Sequence, residues 1–128
     1  MSKQTKFIVF TVLIVVIVGG IGSFFAFKDS KEATKLDGFA QCLSNSGAKF
    51  YGAFWCTHCQ SQKKLFGSSK QYLPYIECSA TDGQTQLPIC KEAGIEGYPT
   101  WVFSDGSRLS GQLPLATLAE KTSCVLPQ

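Results

Sequence analysis

Histidine is almost missing from this 128-residue chain: the single one, His58, lies between two cysteines. There is also just one Cys-x-x-Cys, Cys56 to Cys59. A structural zinc site takes about four ligands, commonly from two paired cysteine motifs, so the ligand count argues against a metal centre. No phosphate-cradling glycine loop occurs, nor any internal repeat or low-complexity tract, and no cofactor is implied. The net charge of +3 is too slight to point to nucleic acid. What the chain does have is six cysteines in a short length, which suits an oxidising compartment.

Phe7 to Phe27 carries no charged residue. A bilayer-spanning helix needs about 20 apolar residues, and this run reaches that length. Val12 to Val18 is apolar on every face, unlike the helix of a soluble core. Lys3 and Lys6 precede the run without any acid, which favours a cytoplasmic N-terminus over residues 1–6. The rival reading is a cleaved secretory signal, but Ser23-Phe24-Phe25-Ala26-Phe27 is a poor cleavage site because of its bulky rings. The expected organisation is a transmembrane anchor over 7–27, a charged linker over 28–35 and one exported domain over 36–128. Under either reading that domain faces the periplasm, the cell exterior or a lumen.

Within it, the apolar run Phe50 to Trp55 leads into Cys56-Thr57-His58-Cys59 and then a helix-compatible stretch. A strand running into a helix that opens with Cys-x-x-Cys is the geometry of a redox dithiol. Unpaired N–H groups and the helix dipole stabilise a thiolate at that end. The thiolate is the nucleophile of disulfide exchange. Cys56 is therefore the expected attacking cysteine and Cys59 the resolving one. A histidine beside the sulfur stabilises the thiolate when protonated and can donate a hydrogen bond when neutral. That stabilises the reduced form and makes the disulfide the better oxidant.

The pattern predicts a helix over Leu36–Ser46 with Asp37 as N-cap and Gly47 as stop, then a buried strand over Lys49–Phe54. The active-site helix is expected over Cys56–Phe66, closed by Gly67. A second strand, Tyr75–Cys78, is followed by a loop at Thr81–Gln84 and a short helix over Gln86–Ala93 with Pro88 in its first turn. Strands at Thr100–Phe103 and Arg108–Ser110 flank a turn, and Pro114 opens a last helix through Thr122.

With Gly97-Tyr98-Pro99-Thr100 heading the run Trp101-Val102-Phe103, the chain resembles the thioredoxin family over roughly Leu36 to Cys124. The resemblance implies an α/β fold, a thioredoxin-like three-layer sandwich with about four strands in a mixed sheet, lacking the first strand of full-length thioredoxin. It makes Pro99 a cis-proline facing the dithiol, with Tyr98 and Pro99 as a ledge for substrate backbone and Trp55 packed beside the cysteines. Plain core packing is the alternative for Trp55. Thr57-His58 resembles the dipeptides of the oxidising families. For His58 the alternative is a solvated surface residue.

The strings Gly47 to Cys56, Tyr75 to Ser79 and Gly94 to Trp101 are similar to a narrower group. This is the thioredoxin-like domain fused to bacterial and plant homologues of vitamin K epoxide reductase, a quinone-linked disulfide generator. Here it would be a free-standing, separately anchored version. That likeness implies a second disulfide, Cys78–Cys90, either a staple of its loop worth roughly 2–4 kcal/mol or a redox relay. Cys42 and Cys124 are then left as a third pair, one connectivity among many. The family's buried aspartate is replaced by Phe50. Glu77, the one acid in the central strands, is a candidate proton acceptor or an edge residue.

These readings converge on a membrane-anchored thiol–disulfide oxidoreductase. Its expected partners are thiols and disulfides of exported proteins and a membrane disulfide-generating enzyme of the vitamin K epoxide reductase type. A reductase working in the opposite direction, or a non-catalytic module stapled by disulfides, are the alternatives.

Overall fold

A computed structural model describes Lys3, Gln4, Phe10 and residues 36–128. The expected anchor (Phe10 apart) and the linker lie outside the described residues, among which no helix is long and apolar enough to cross a membrane. The chain divides into two units, 1–32 and 33–128, and the second carries the fold.

Its first helix, α1 (Asp37–Asn45), buries Phe39, Ala40 and Leu43 along one face. Asp37 is not the N-cap: Leu36 takes that position without a side-chain bond. Asp37 stands in the first turn, where a carboxylate suits the helix dipole, and accepts a hydrogen bond from the Ser69 hydroxyl. Ser69 belongs to a 3-10 turn, Gly67–Tyr72, that the apolar pattern does not signal. Gly47 ends α1 at φ +82°, a conformation glycine adopts without strain.

Strand β1 (Lys49–Gly52) pairs in parallel with β2 (Tyr75–Glu77) and antiparallel with β3 (Thr100–Val102). β3 pairs antiparallel with β4 (Arg108–Ser110), giving a mixed four-stranded sheet in the order β2-β1-β3-β4. Phe50, in the middle of β1, is fully buried. Its ring stacks on Trp101 at 4.7 Å and meets Tyr75 edge-on at 5.1 Å. Burying such a ring contributes roughly 1.5–3 kcal/mol. A charged aspartate has no place in that stack.

β1 ends before Phe54 because the chain turns, the Cys56 N–H donating to the Ala53 carbonyl at 3.0 Å. Helix α2 (Thr57–Lys64) follows, and α3 (Pro88–Glu92) is shorter than its pattern because Leu87 is extended ahead of Pro88. Helix α4 (Leu115–Thr122) buries Leu118, with Pro114 as its extended N-cap. A disulfide between Cys42 and Cys124, Cα atoms 5.8 Å apart, joins α1 to the segment after α4.

Candidate active site

Cys56 is the N-cap of α2, with extended dihedrals (φ −74°, ψ 115°) that turn its side chain onto the first helical turn. Its sulfur accepts a hydrogen bond from the Cys59 N–H at 3.2 Å. That N–H is one of the donors a helix start leaves unpaired, so the fold aims a positive dipole end at Cys56 Sγ. The two cysteines are disulfide-bonded, Cα atoms 5.2 Å apart. Cys56 retains 6% of its surface and Cys59 none. Cys56 is the more accessible of the two, although it shows an edge and not a whole side chain.

Gly52 makes room for this pair. A Cβ there would stand 3.0 Å from Cys59 Sγ and 2.8 Å from the Tyr75 ring, so only a residue without a side chain fits. No spacing rule in the sequence marks this position. The available signal was a glycine inside a strand next to the dithiol.

The Tyr98–Pro99 bond is cis and Pro99 is buried at the entry to β3. The Pro99 carbonyl accepts from the Gly111 N–H at 2.8 Å. Tyr98 and Trp55 meet edge to face at 6.0 Å. Trp55 is 52% exposed and Phe54 49%, so Trp55 is a surface wall beside the cysteines and not a core residue. Each wall has its own support. The Trp55 indole donates to the Ser79 hydroxyl at 2.9 Å, and Gln86 donates to the Tyr98 hydroxyl at 2.9 Å. Ser79 and Gln86 face each other in an isolated β-bridge just inside the Cys78–Cys90 disulfide, whose Cα atoms are 5.6 Å apart. Asp82 organises the far end of that loop by accepting from Thr85 and Gln84, bonds that hold its carboxyl down at about 2.

Thr57 and His58 are exposed on the first turn of α2. His58 lines a groove of about 520 Å³ with Leu65 and the segment Gly111–Pro114. That segment is fixed by Gln62, fully buried on α2, whose side chain both donates to the Leu113 carbonyl and accepts from the Leu113 N–H.

Glu77 is not a free acid. One carboxylate oxygen accepts from the backbone N–H groups of Phe54 (3.1 Å) and Ser79 (2.9 Å), the other from the Tyr75 hydroxyl (2.7 Å). It thereby ties β2 to the turn before the dithiol. Burial, then the bond to Glu77, pushes the Tyr75 hydroxyl well above its usual range. Lys63 Nζ sits 3.3 Å over the Tyr75 ring centre. Burial lowers its pKa, with Glu77 opposing and Lys70 adding to the shift.

The chain is 46% identical over 93 residues to "Thiol-disulfide oxidoreductase LTO1" of Arabidopsis thaliana, covering 70% of this chain and 24% of that protein. It is 35% identical over 68 residues to "Probable protein disulfide-isomerase ER-60" of Schistosoma mansoni, covering 50% of this chain and 14% of that one. It thus spans a quarter or less of the length of either relative. The family model described as thioredoxin matches residues 30–122, and with the four-stranded mixed sheet and its flanking helices, the chain belongs to the thioredoxin family.

Proposed function

We propose that this protein is a thiol–disulfide oxidoreductase that exchanges disulfides through Cys56 and Cys59, working in the oxidising direction. One observation carries the reading: Cys56 sits at a helix N-cap with an N–H donor on its sulfur, and it alone of the pair reaches the surface. A substrate thiolate attacks Cys56 Sγ, the Cys56–Cys59 bond breaks, and its electron pair leaves on Cys59. A second substrate thiolate then attacks the mixed disulfide and expels Cys56 as a thiolate. The substrate has lost two electrons and the dithiol has gained them.

His58, two residues after Cys56, supports the oxidising direction because a histidine at that position favours the thiolate form. Trp55, Tyr98 and Pro99 are read as the walls of the substrate-binding ledge. The charge-free run Phe7–Phe27 supports a single membrane anchor with the catalytic domain outside the cytoplasm. The likeness to domains fused to vitamin K epoxide reductase homologues supports a quinone-linked membrane enzyme of that type as the source of disulfides, and exported proteins as their destination. Replacing Cys59→Ala removes the resolving thiol, so mixed disulfides between Cys56 and substrate proteins should accumulate and disappear on reduction. Absence of any trapped species in the cells that make the protein contradicts the reading.

A further inference from the structure

The exchange leaves its electron pair on Cys59, the more deeply buried sulfur of the two. A thiolate there has lost its solvation and needs a compensating charge. Phe50 cannot provide it, being sandwiched among aromatic rings. Glu77 carries the wrong sign, and its oxygens already take three donors.

The bare backbone of Gly52 leaves a gap in which Cys59 Sγ and the Tyr75 ring edge come together. They lie 3.0 Å and 2.8 Å from the point a Cβ would occupy, hence no more than about 5.8 Å from each other. The same ring carries the Lys63 amine on its face. Lys63 lies four residues after Cys59 on α2, one turn along the same helical face. Helix spacing thus puts Lys63 on the face of α2 that carries Cys59, and the ring contact holds its amine on the ring whose edge borders the gap beside that sulfur.

We propose that the Lys63 ammonium, seated on the Tyr75 ring, is the charge that stabilises the Cys59 thiolate when the Cys56–Cys59 bond breaks. Lys63 is a positioning residue that acts through the field at Cys59. Its effect is to lower the pKa of the leaving sulfur, and a lower leaving-group pKa speeds disulfide opening. The other titratable groups around this space are Tyr75 and Glu77 on β2, Lys70 on the 3-10 turn and Tyr98 ahead of β3. His58 is exposed on the groove it shares with Leu65 and Leu113. The idea rests on the reading of Cys56–Cys59 as the exchanging pair.

The test uses the full chain with Cys56→Ser. The other four cysteines remain bonded to each other, which leaves Cys59 as the sole free thiol. Its pKa is read from thiolate absorbance and from the pH dependence of alkylation by iodoacetamide. Adding Lys63→Gln should raise that pKa by about one unit, roughly a tenfold loss of thiolate at a fixed pH below it. Lys63→Arg should restore the original value, and Glu77→Gln should move it down or leave it. Lys63→Met, with a similar unbranched stem, gives the same reading if the glutamine variant does not fold. An unchanged pKa in Lys63→Gln or Lys63→Met, or a rise in Glu77→Gln, overturns the proposal. The titration involves no substrate. A lysine effect without any exchange activity would therefore sink the functional reading alone, and an active protein without the lysine effect would sink this one alone.

Discussion

Two disulfides of this domain close short loops, yet their sulfurs face opposite electrostatics. Cys56 Sγ receives a backbone N–H at the start of a helix and keeps a strip of exposed surface. Cys78 Sγ lies 3.9 Å from the Ile76 carbonyl oxygen and Cys90 Sγ 3.9 Å from that of Glu77, and both residues are fully buried. A donor stabilises a thiolate, whereas a carbonyl oxygen and desolvation oppose one. One cystine is thus built to open and the other to stay shut. The contrast favours the staple over the relay for Cys78–Cys90. It also gives the staple a purpose, since the loop it closes carries Ser79 and Gln86, the supports of Trp55 and Tyr98.

Breaking the comparison starts with the covalent links. Cys56→Ser should abolish exchange, while Cys78→Ala with Cys90→Ala should leave most of it. Loss of exchange in that double variant, while it remains folded, would reinstate the relay. Stability should fall in both staple knockouts. Removing Cys42–Cys124, with 82 residues of separation, should cost about 4–5 kcal/mol. Removing Cys78–Cys90, with a separation of 12, should cost about 3 kcal/mol. Urea unfolding of the oxidised proteins measures both, and a reversed order would mean that strain or residual unfolded structure dominates over loop entropy.

A smaller effect sharpens the same contrast. Ser79→Ala deletes the acceptor of the Trp55 indole and should lower stability by about 0.5–1.5 kcal/mol. Because Trp55 is half exposed, its fluorescence should shift to the red as the ring swings free, and oxidation of a peptide dithiol should weaken through KM more than kcat. An unchanged spectrum and KM would show that the hydroxyl does not position the ring.

The sequence made the dithiol legible because its signal is local: a strand, two cysteines one helical turn apart, and a helix. Pro99 and Trp55 followed from resemblance. Strand β4 has the ends its pattern predicts, because a turn with Gly106 and the bend at Gly111 bound it. Positions whose roles arise across the fold were hidden. Gly52 matters through Cys59 and Tyr75, Gln62 through the Leu113 backbone far along the chain, and Lys63 through an aromatic ring on another element. No spacing rule announces such contacts. Asp37 misled for a related reason. A residue suited to capping was taken one step into the helix and used by Ser69.

The most direct test of the central claim is the redox equilibrium of the full chain across a glutathione series, with thiols trapped and each cysteine pair scored by mass. The account predicts that Cys56–Cys59 titrates at a potential above thioredoxin's, about −270 mV, while Cys78–Cys90 stays oxidised throughout. A Cys56–Cys59 potential at or below that value would contradict the oxidising role assigned to the site. Joint titration of the two pairs would contradict the division between an opening and a closed cystine.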